Sequence, residues 1–118
     1  MTQYHEPPTE LEPADRDIAR ALNSLKEEIE AVDWYHQRAA VCADDELRKI
    51  LLHNRDEEIE HAAMALEWCR RVIPELDAVL RTYLFSEGSI TELESAGQGP
   101  EQATPPGKLG IGNLAPSR

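Results

Sequence analysis

Apolar residues recur every three or four positions through two long stretches of the chain, the spacing of an amphipathic α-helix. The first stretch begins at Pro13, a residue suited to the first turn of a helix, and runs to about Cys42. The second begins near Asp45, after a short break with N-cap candidates, and ends before Pro74, which disfavours helix in the residue that precedes it. The pattern predicts two long helices joined by a short turn, which is typical of an antiparallel hairpin.

A shorter apolar face from Pro74 to about Ser86 predicts a third helix, with Gly88 as its stop signal. After this point the chain becomes rich in glycine and proline, which is typical of a linker. We therefore expect four parts: a flexible N-terminal segment at 1–12, a helical domain at 13–87, a flexible linker at 88–106 and a terminal peptide at 107–118.

The composition agrees with an all-α fold, because the middle of the chain is rich in Ala, Leu, Glu and Arg. The formal net charge of −11 argues against a nucleic-acid partner, which needs a basic face. Cys42 and Cys69 match no zinc motif, so reduced thiols are the simplest interpretation. No apolar run reaches membrane-spanning length and no secretory signal begins the chain, so we expect a cytoplasmic protein with no membrane partner.

In the second helix, Glu58 and His61 stand three residues apart within the apolar stripe. Positions i and i+3 share one face of a helix, so both side chains can reach one ion. A buried carboxylate is costly unless it is paired or bound to a metal. The spacing alone is unspecific, and a Glu–His pair satisfied in a core is the simpler interpretation of it.

Glu28 changes this balance, because it lies beside the apolar stripe of the first helix. Glu28 and Glu58 are at similar distances from the turn, so an antiparallel hairpin brings them to one level. One Glu and one Glu-x-x-His make half of the ligand set of ferritin-like di-iron proteins. Two copies related by a two-fold axis would complete it. We therefore predict a dimer that forms a ferritin-like four-helix bundle and holds two metal ions at the subunit boundary, with iron, manganese or zinc suited to these ligands.

Both helices carry a second surface outside this stripe. Glu27, Glu30 and Trp34 lie together on the first helix, opposite its core stripe, and form either a cation-binding surface or an ordinary solvated face. Two apolar sides on so small a hairpin favour assembly beyond the dimer. The second apolar strip, on the back of the second helix, consists of Leu52, Ile59, Ala62, Ala63 and Leu66.

The end of the chain carries Leu109, Ile111 and Leu114, which are separated by glycines. Tails without structure usually lack such residues, so this stretch resembles a short peptide that docks into pockets on a partner. A disordered end with incidental apolar residues is the alternative.

Three segments together resemble the encapsulated ferritins, in the same order along the chain: residues 27–35 (EEIEAVDWY), 53–64 (HNRDEEIEHAAM) and 80–85 (LRTYLF). Three ordered segments are far more specific than Glu-x-x-His alone. Residues 109–114 (LGIGNL) resemble the peptide that directs cargo into encapsulin shells, with Asn113 where many such peptides have serine.

The resemblance implies a ferroxidase that oxidises Fe(II) with oxygen, with two irons per dimer, inside an encapsulin nanocompartment whose shell stores the iron. It also implies dimers bridged by metal and a decameric ring of five dimers. A non-catalytic metal-binding cargo protein and a plain helical interaction module are the rival hypotheses.

The resemblance also implies roles for individual residues. Glu28, Glu58 and His61 would be the catalytic iron ligands, with Tyr35 as a neighbour of the centre. A secondary site for calcium or other divalent ions would lie at Glu27, Glu30 and Trp34, and the shell would be bound through Leu109, Ile111 and Leu114.

Overall fold

The computed structural model describes residues 4–96, and these residues form helices and turns without a strand. The predicted all-α fold, with two long helices and a shorter one after them, is confirmed. Within residues 4–96, no helix is both long and apolar enough to cross a membrane. The terminal peptide, with Leu109, Ile111 and Leu114, and most of the expected linker lie outside the described residues. The helices are α1 (Pro13–Val41), α2 (Asp45–Val72), α3 (Pro74–Tyr83) and α4 (Ile90–Ala96), preceded by a 3₁₀ turn at Pro8–Glu10.

The turn between α1 and α2 is fixed by side chains that bond to the backbone. The Asp44 carboxylate accepts a hydrogen bond of 2.8 Å from the backbone N–H of Leu47 and so caps α2. The Arg48 guanidinium donates to the carbonyl of Cys42 over 3.2 Å. These bonds satisfy polar groups at the helix ends, which otherwise have no partner within their helix. The short turn reverses the chain, and α1 and α2 form the predicted antiparallel hairpin.

Cross-helix contacts define two sides of this hairpin. On one side Arg55 of α2 donates to Nδ1 of His36 of α1 over 3.1 Å. On the other, Nδ1 of His61 lies 3.6 Å from a carboxylate oxygen of Glu28. His36 lies after Glu28 in α1, and its partner Arg55 lies before His61 in α2, as expected for antiparallel helices.

The hairpin buries little of its apolar surface. Among the described residues only Ala39 and Cys69 are buried, although α1 and α2 have 29 and 28 residues. Apolar area of this extent favours a contact with another chain. The large apolar side chains that stay exposed on the two helices are Leu22, Ile29, Trp34, Val41, Leu47, Ile50, Ile59, Met64, Trp68 and Val72.

A second compact unit begins at Arg70, in the last turn of α2, and includes α3 and α4. Its charged centre is Asp77, which accepts hydrogen bonds from the guanidinium groups of Arg70 and Arg81. Arg81 approaches both carboxylate oxygens of Asp77 at 3.1 Å. This cluster joins the end of α2 to α3 across the break at Pro74.

The structure differs from the sequence pattern at two helix ends and in one additional helix. Helix α1 ends at Val41, one residue before Cys42. Helix α3 ends at Tyr83 rather than near Ser86, because the backbone of Leu84 is extended, with φ −72° and ψ 141°, and Phe85 follows with a positive φ of 59°. The left-handed region costs a side chain like phenylalanine about 1–2 kcal/mol. Within the stretch expected to be a flexible linker, the structure instead forms a seven-residue helix at Ile90–Ala96.

Candidate metal centre

Three side chains of the hairpin converge beside the contact between α1 and α2. Glu58 and His61 lie one turn apart on the same face of α2, and Glu28 faces them from α1. The side chains of Glu28, Glu58 and His61 are 30, 24 and 45% exposed. They therefore lie at the edge of the hairpin, where a further ligand from outside has access. We refer to these three residues as the triad.

The distances within the triad are those of groups that share protons or one ion. Nδ1 of His61 lies 3.3 Å from Oε1 of Glu58 and 3.6 Å from Oε1 of Glu28. One ligand atom from each residue lies within 4.8 Å of the other two. In residues 4–96 this is the one group of three or more His, Cys, Asp and Glu side chains close enough to hold an ion together.

The two carboxyl groups of the triad differ in how readily they ionise. A hydrogen bond with Glu58 raises the pKa of Glu28 above its ordinary value of 4.5, and loss of solvent adds to this. The same bond lowers the pKa of Glu58, because it stabilises the ionised form. Glu28 therefore binds a proton more readily than Glu58 does. The pKa of the His61 imidazole is raised above 6.5, chiefly by its hydrogen bond to Glu58.

The triad fits a divalent transition metal. It offers carboxylate oxygens and an imidazole nitrogen, the donors that iron, manganese and zinc accept in proteins. A cation bound between them would compete with protons for Glu28 and His61, because metal ligation requires an ionised carboxylate and a neutral imidazole. One Glu-x-x-His and one further Glu are half of the set that a di-iron centre uses. The single chain therefore supplies half of such a centre.

The other acidic group predicted from the sequence does not converge in this way. Glu27, Glu30 and Trp34 are exposed on α1, and no carboxylate or imidazole from α2 joins them within the described residues. Their role as a secondary metal site stays a prediction.

Tyr35 is half-buried on α1, and the Arg38 guanidinium carbon lies 5.2 Å from the centre of its ring. This cation–π contact was not predicted, although the spacing of an aromatic residue and an arginine at i and i+3 indicates it. Glu57 and Glu60, which flank Glu58 and His61 in the sequence of α2, are exposed and lie outside the triad.

Comparison with known proteins gives the family. The family model described as EncFtn-like matches residues 3–87, which include both helices of the hairpin, α3 and all three residues of the triad. The chain belongs to the EncFtn-like family. It is thus an encapsulated ferritin by family, in agreement with the resemblance of its three sequence segments.

Individual relatives of the EncFtn-like chain agree. A ferritin-like protein of Thermotoga maritima is 61% identical over 112 residues, which cover 95% of this chain and 97% of that protein. An encapsulated ferritin-like protein of Rhodospirillum rubrum is 49% identical, over 93% of this chain and 86% of its own length. An encapsulin nanocompartment cargo protein of Myxococcus xanthus is 30% identical, over 85% of this chain and 86% of its own length.

The fold of this EncFtn-like chain also occurs in a crystal structure of a Nitrosomonas europaea protein. The two superpose with a TM-score of 0.72 at 56% identity, covering 74% of this chain and 96% of the other. The helical fold of this chain is therefore shared with that protein.

Proposed function

We propose that this chain is a ferroxidase, which oxidises Fe(II) to Fe(III) with oxygen at a di-iron centre shared between two subunits. The observation that carries the proposal is the triad: Glu28, Glu58 and His61 come from two helices and meet within 4.8 Å at an accessible edge. Membership of a ferritin family supports iron as the metal rather than zinc or manganese.

The shared centre follows from counting ligands. One chain offers two carboxylates and one imidazole, which is too few for two iron ions. A two-fold axis beside the triad brings the same three residues from a second copy, and the four long helices then form a bundle. The exposed apolar residues that flank the triad on α2, such as Leu47 and Trp68, become buried in this dimer. Five such dimers in a ring are the assembly that the family resemblance implies.

Fe(II) is the substrate of this centre. Each of two Fe(II) ions gives one electron, and one oxygen molecule takes the two electrons with two protons to form hydrogen peroxide. The bound acids favour this step, because carboxylates stabilise Fe(III) more than Fe(II) by charge. The protons displaced from Glu28 and His61 on binding return to solvent, and Fe(III) leaves for storage elsewhere, since a hairpin dimer encloses no space for mineral.

Parallel measurement of iron oxidation and of oligomer mass tests the proposal. The double variant Glu58→Ala/His61→Ala should oxidise Fe(II) aerobically no faster than free Fe(II) does, and should not dimerise when iron is added, because two of three ligands are gone. A double variant that matches the parent's rate would overturn the proposal. Iron-dependent dimers of the parent without oxygen consumption above background would instead indicate a non-catalytic metal-binding cargo protein.

The secondary site is proposed to attract divalent ions, calcium included, to the outer face of α1. Glu27 and Glu30 provide two exposed carboxylates next to Trp34, close in sequence to Glu28. Calorimetric titration of calcium into the parent and into Glu27→Gln/Glu30→Gln tests this, and equal binding by both would contradict it.

The terminal peptide is proposed to deliver the enzyme into an encapsulin shell in the cytoplasm. The relatives named as encapsulated and as encapsulin cargo support this, together with Leu109, Ile111 and Leu114 in the expected docking pattern. Removal of residues 107–118 should leave iron oxidation unchanged and abolish loading when shell and cargo are produced together. The number of cargo chains per purified shell measures this, and undiminished loading would contradict the proposal.

A further inference from the structure

A line of side chains on α2 leads outward from the triad. Successive residues of a helix are about 100° apart around its axis and about 1.5 Å apart along it. Cys69 is the buried residue of α2 and marks the inner side of this helix. Measured from Cys69, Glu58 lies about 20° around the axis, and His61 lies about 80° in the same direction. Met64 follows at about 140°, at the outer margin of the face that carries the triad and about 4.5 Å along the axis from His61.

Met64 is also the accessible sulfur nearest to the triad along α2, with its side chain 59% exposed. The Cys69 thiol is fully buried, and this burial raises its pKa, so the reactive thiolate is disfavoured. Cys42 lies before the start of α2, and about 24 Å of helix separates that start from His61. Among the sulfur-containing side chains of residues 4–96, only that of Met64 is exposed within one turn of a triad ligand. A thioether is a soft donor that suits Cu(I), so Met64 is placed to react rather than to bind iron.

We propose that Met64 is the residue that the peroxide made at the triad oxidises first, and that the product is methionine sulfoxide. The inference rests on the proposed ferroxidase, which supplies hydrogen peroxide. The Sδ atom of Met64 attacks one oxygen of the peroxide. The bond between Sδ and that oxygen forms, the O–O bond breaks, and the second oxygen leaves with both protons as water. The sulfur loses the two electrons that the peroxide gains.

The two-copy centre makes this position the first one that the product meets. The second copy covers the triad side of the hairpin, where Trp68 lies about 100° from Cys69 and is 40% exposed. Met64 lies further around the helix and is more exposed, so it remains at the edge of the covered face. Peroxide that leaves a centre closed by two hairpins passes this edge before it reaches bulk water. Oxidation there also replaces an apolar side chain by a polar one at the rim of the dimer contact.

The test follows oxygen uptake at two methionines in one chain. Val41 is 84% exposed at the end of α1, about 20 Å along that helix from Glu28, so Val41→Met adds a distant methionine. The full-length variant is given Fe(II) in air with catalase, which destroys peroxide in solution, and peptide mass spectrometry measures sulfoxide at both positions. The same variant treated with dilute hydrogen peroxide without iron gives the ratio that exposure alone produces. We expect iron oxidation to raise the ratio of sulfoxide at Met64 to that at the introduced methionine at least about fivefold over this reference, because a product released beside one side chain acts at a high effective concentration.

Met64→Leu gives a second readout, since leucine keeps an apolar side chain of similar volume and has no sulfur. It should oxidise Fe(II) at the parent's rate and gain about one oxygen atom fewer per chain than the parent. A sulfoxide ratio no higher than the reference, or an equal gain of oxygen by Met64→Leu and the parent, would overturn the inference, and rapid iron oxidation in the same samples would leave the ferroxidase in place. Iron oxidation by the parent no faster than that of free Fe(II) would reject the ferroxidase and the peroxide route with it.

Discussion

Two clusters of charged side chains each join a pair of helices, and they balance their charge differently. In the cluster around Asp77, the carboxylate lies between the guanidinium groups of Arg70 and Arg81. Burial alone would raise the pKa of Asp77, but the hydrogen bonds from the two arginines outweigh it, and the pKa falls below 3.8. The protein provides every cation that this acid needs.

The triad has two acids and no such cation. Their hydrogen bond raises the pKa of Glu28 and lowers that of Glu58, and within the described residues neither lysine nor arginine contributes to the shift of either pKa. The difference separates a structural ion pair from a site for an external cation. Arginines neutralise Asp77 in the folded chain, whereas the carboxylates of the triad have no arginine or lysine among the groups that shift their pKa values, and a metal ion can take that place.

A lysine placed in the triad should convert it into a structural ion pair like the cluster around Asp77. In Glu28→Lys, the ammonium group would neutralise Glu58 and repel Fe(II), so we expect aerobic iron oxidation to fall at least about 100-fold, since even residues that only support a ligand contribute about 10–100-fold. The free energy of unfolding without metal should stay within about 0.5 kcal/mol of the parent, as for exposed ion pairs. Stopped-flow absorbance and urea titration measure the two effects.

Glu60→Lys is the matched control for Glu28→Lys. Glu60 is exposed on α2, two residues from Glu58, and it is not in the triad, so the same charge change is made without loss of a ligand. Equal rates for Glu28→Lys and this control would contradict ligation by Glu28 as the cause of any loss of oxidation.

The converse change removes the acid that the arginines surround. Asp77→Asn should lower the free energy of unfolding of the metal-free chain by about 2 kcal/mol, because charge-assisted hydrogen bonds contribute about 1.5–3 kcal/mol each and the arginines are partly exposed. Urea titration at neutral pH measures it. Glu75→Gln, at an exposed acid of the same helix, should cost less than about 1 kcal/mol. Equal losses for both variants would mean that the cluster adds no stability of its own.

Much of the hairpin follows from local signals in the sequence. Pro13, Asp44 and Pro74 mark helix ends by their own chemistry, and the structure has helix boundaries at or beside all three. The convergence of Glu28 on Glu58 and His61 was predictable from helix spacing together with a short turn. A short turn fixes which residues of the two antiparallel helices lie at the same level. Those two steps use no information from outside the chain.

The remaining features depend on contacts that spacing does not encode. The cluster at Asp77 spans the break at Pro74, so its geometry depends on the path of the chain between two helices. Helix α4 lies just before a stretch rich in glycine and proline, and composition averaged over 88–106 conceals it. Helix α3 ends because Leu84 is extended, and leucine has no residue preference that predicts this end. The positive φ of Phe85 is likewise rare for its residue type.

The response to acid should separate the two clusters. Fe(II) must displace protons from His61 and Glu28, whose pKa values are raised, so its apparent affinity should decline as pH falls, starting above pH 6.5. The slope should be about tenfold per pH unit while one proton is displaced, and steeper once Glu28 also binds its proton. The stability that Asp77 contributes has a different pH dependence. Because its pKa is lowered, this stability is present above pH 3.8 and is lost only as pH falls through the lowered pKa.

Anaerobic calorimetry of Fe(II) binding between pH 5 and 8, with circular dichroism of the same samples, should therefore show affinity lost from a chain that stays helical. Binding that is independent of pH, or that is lost only together with helicity, would contradict the proton-for-metal exchange at the triad.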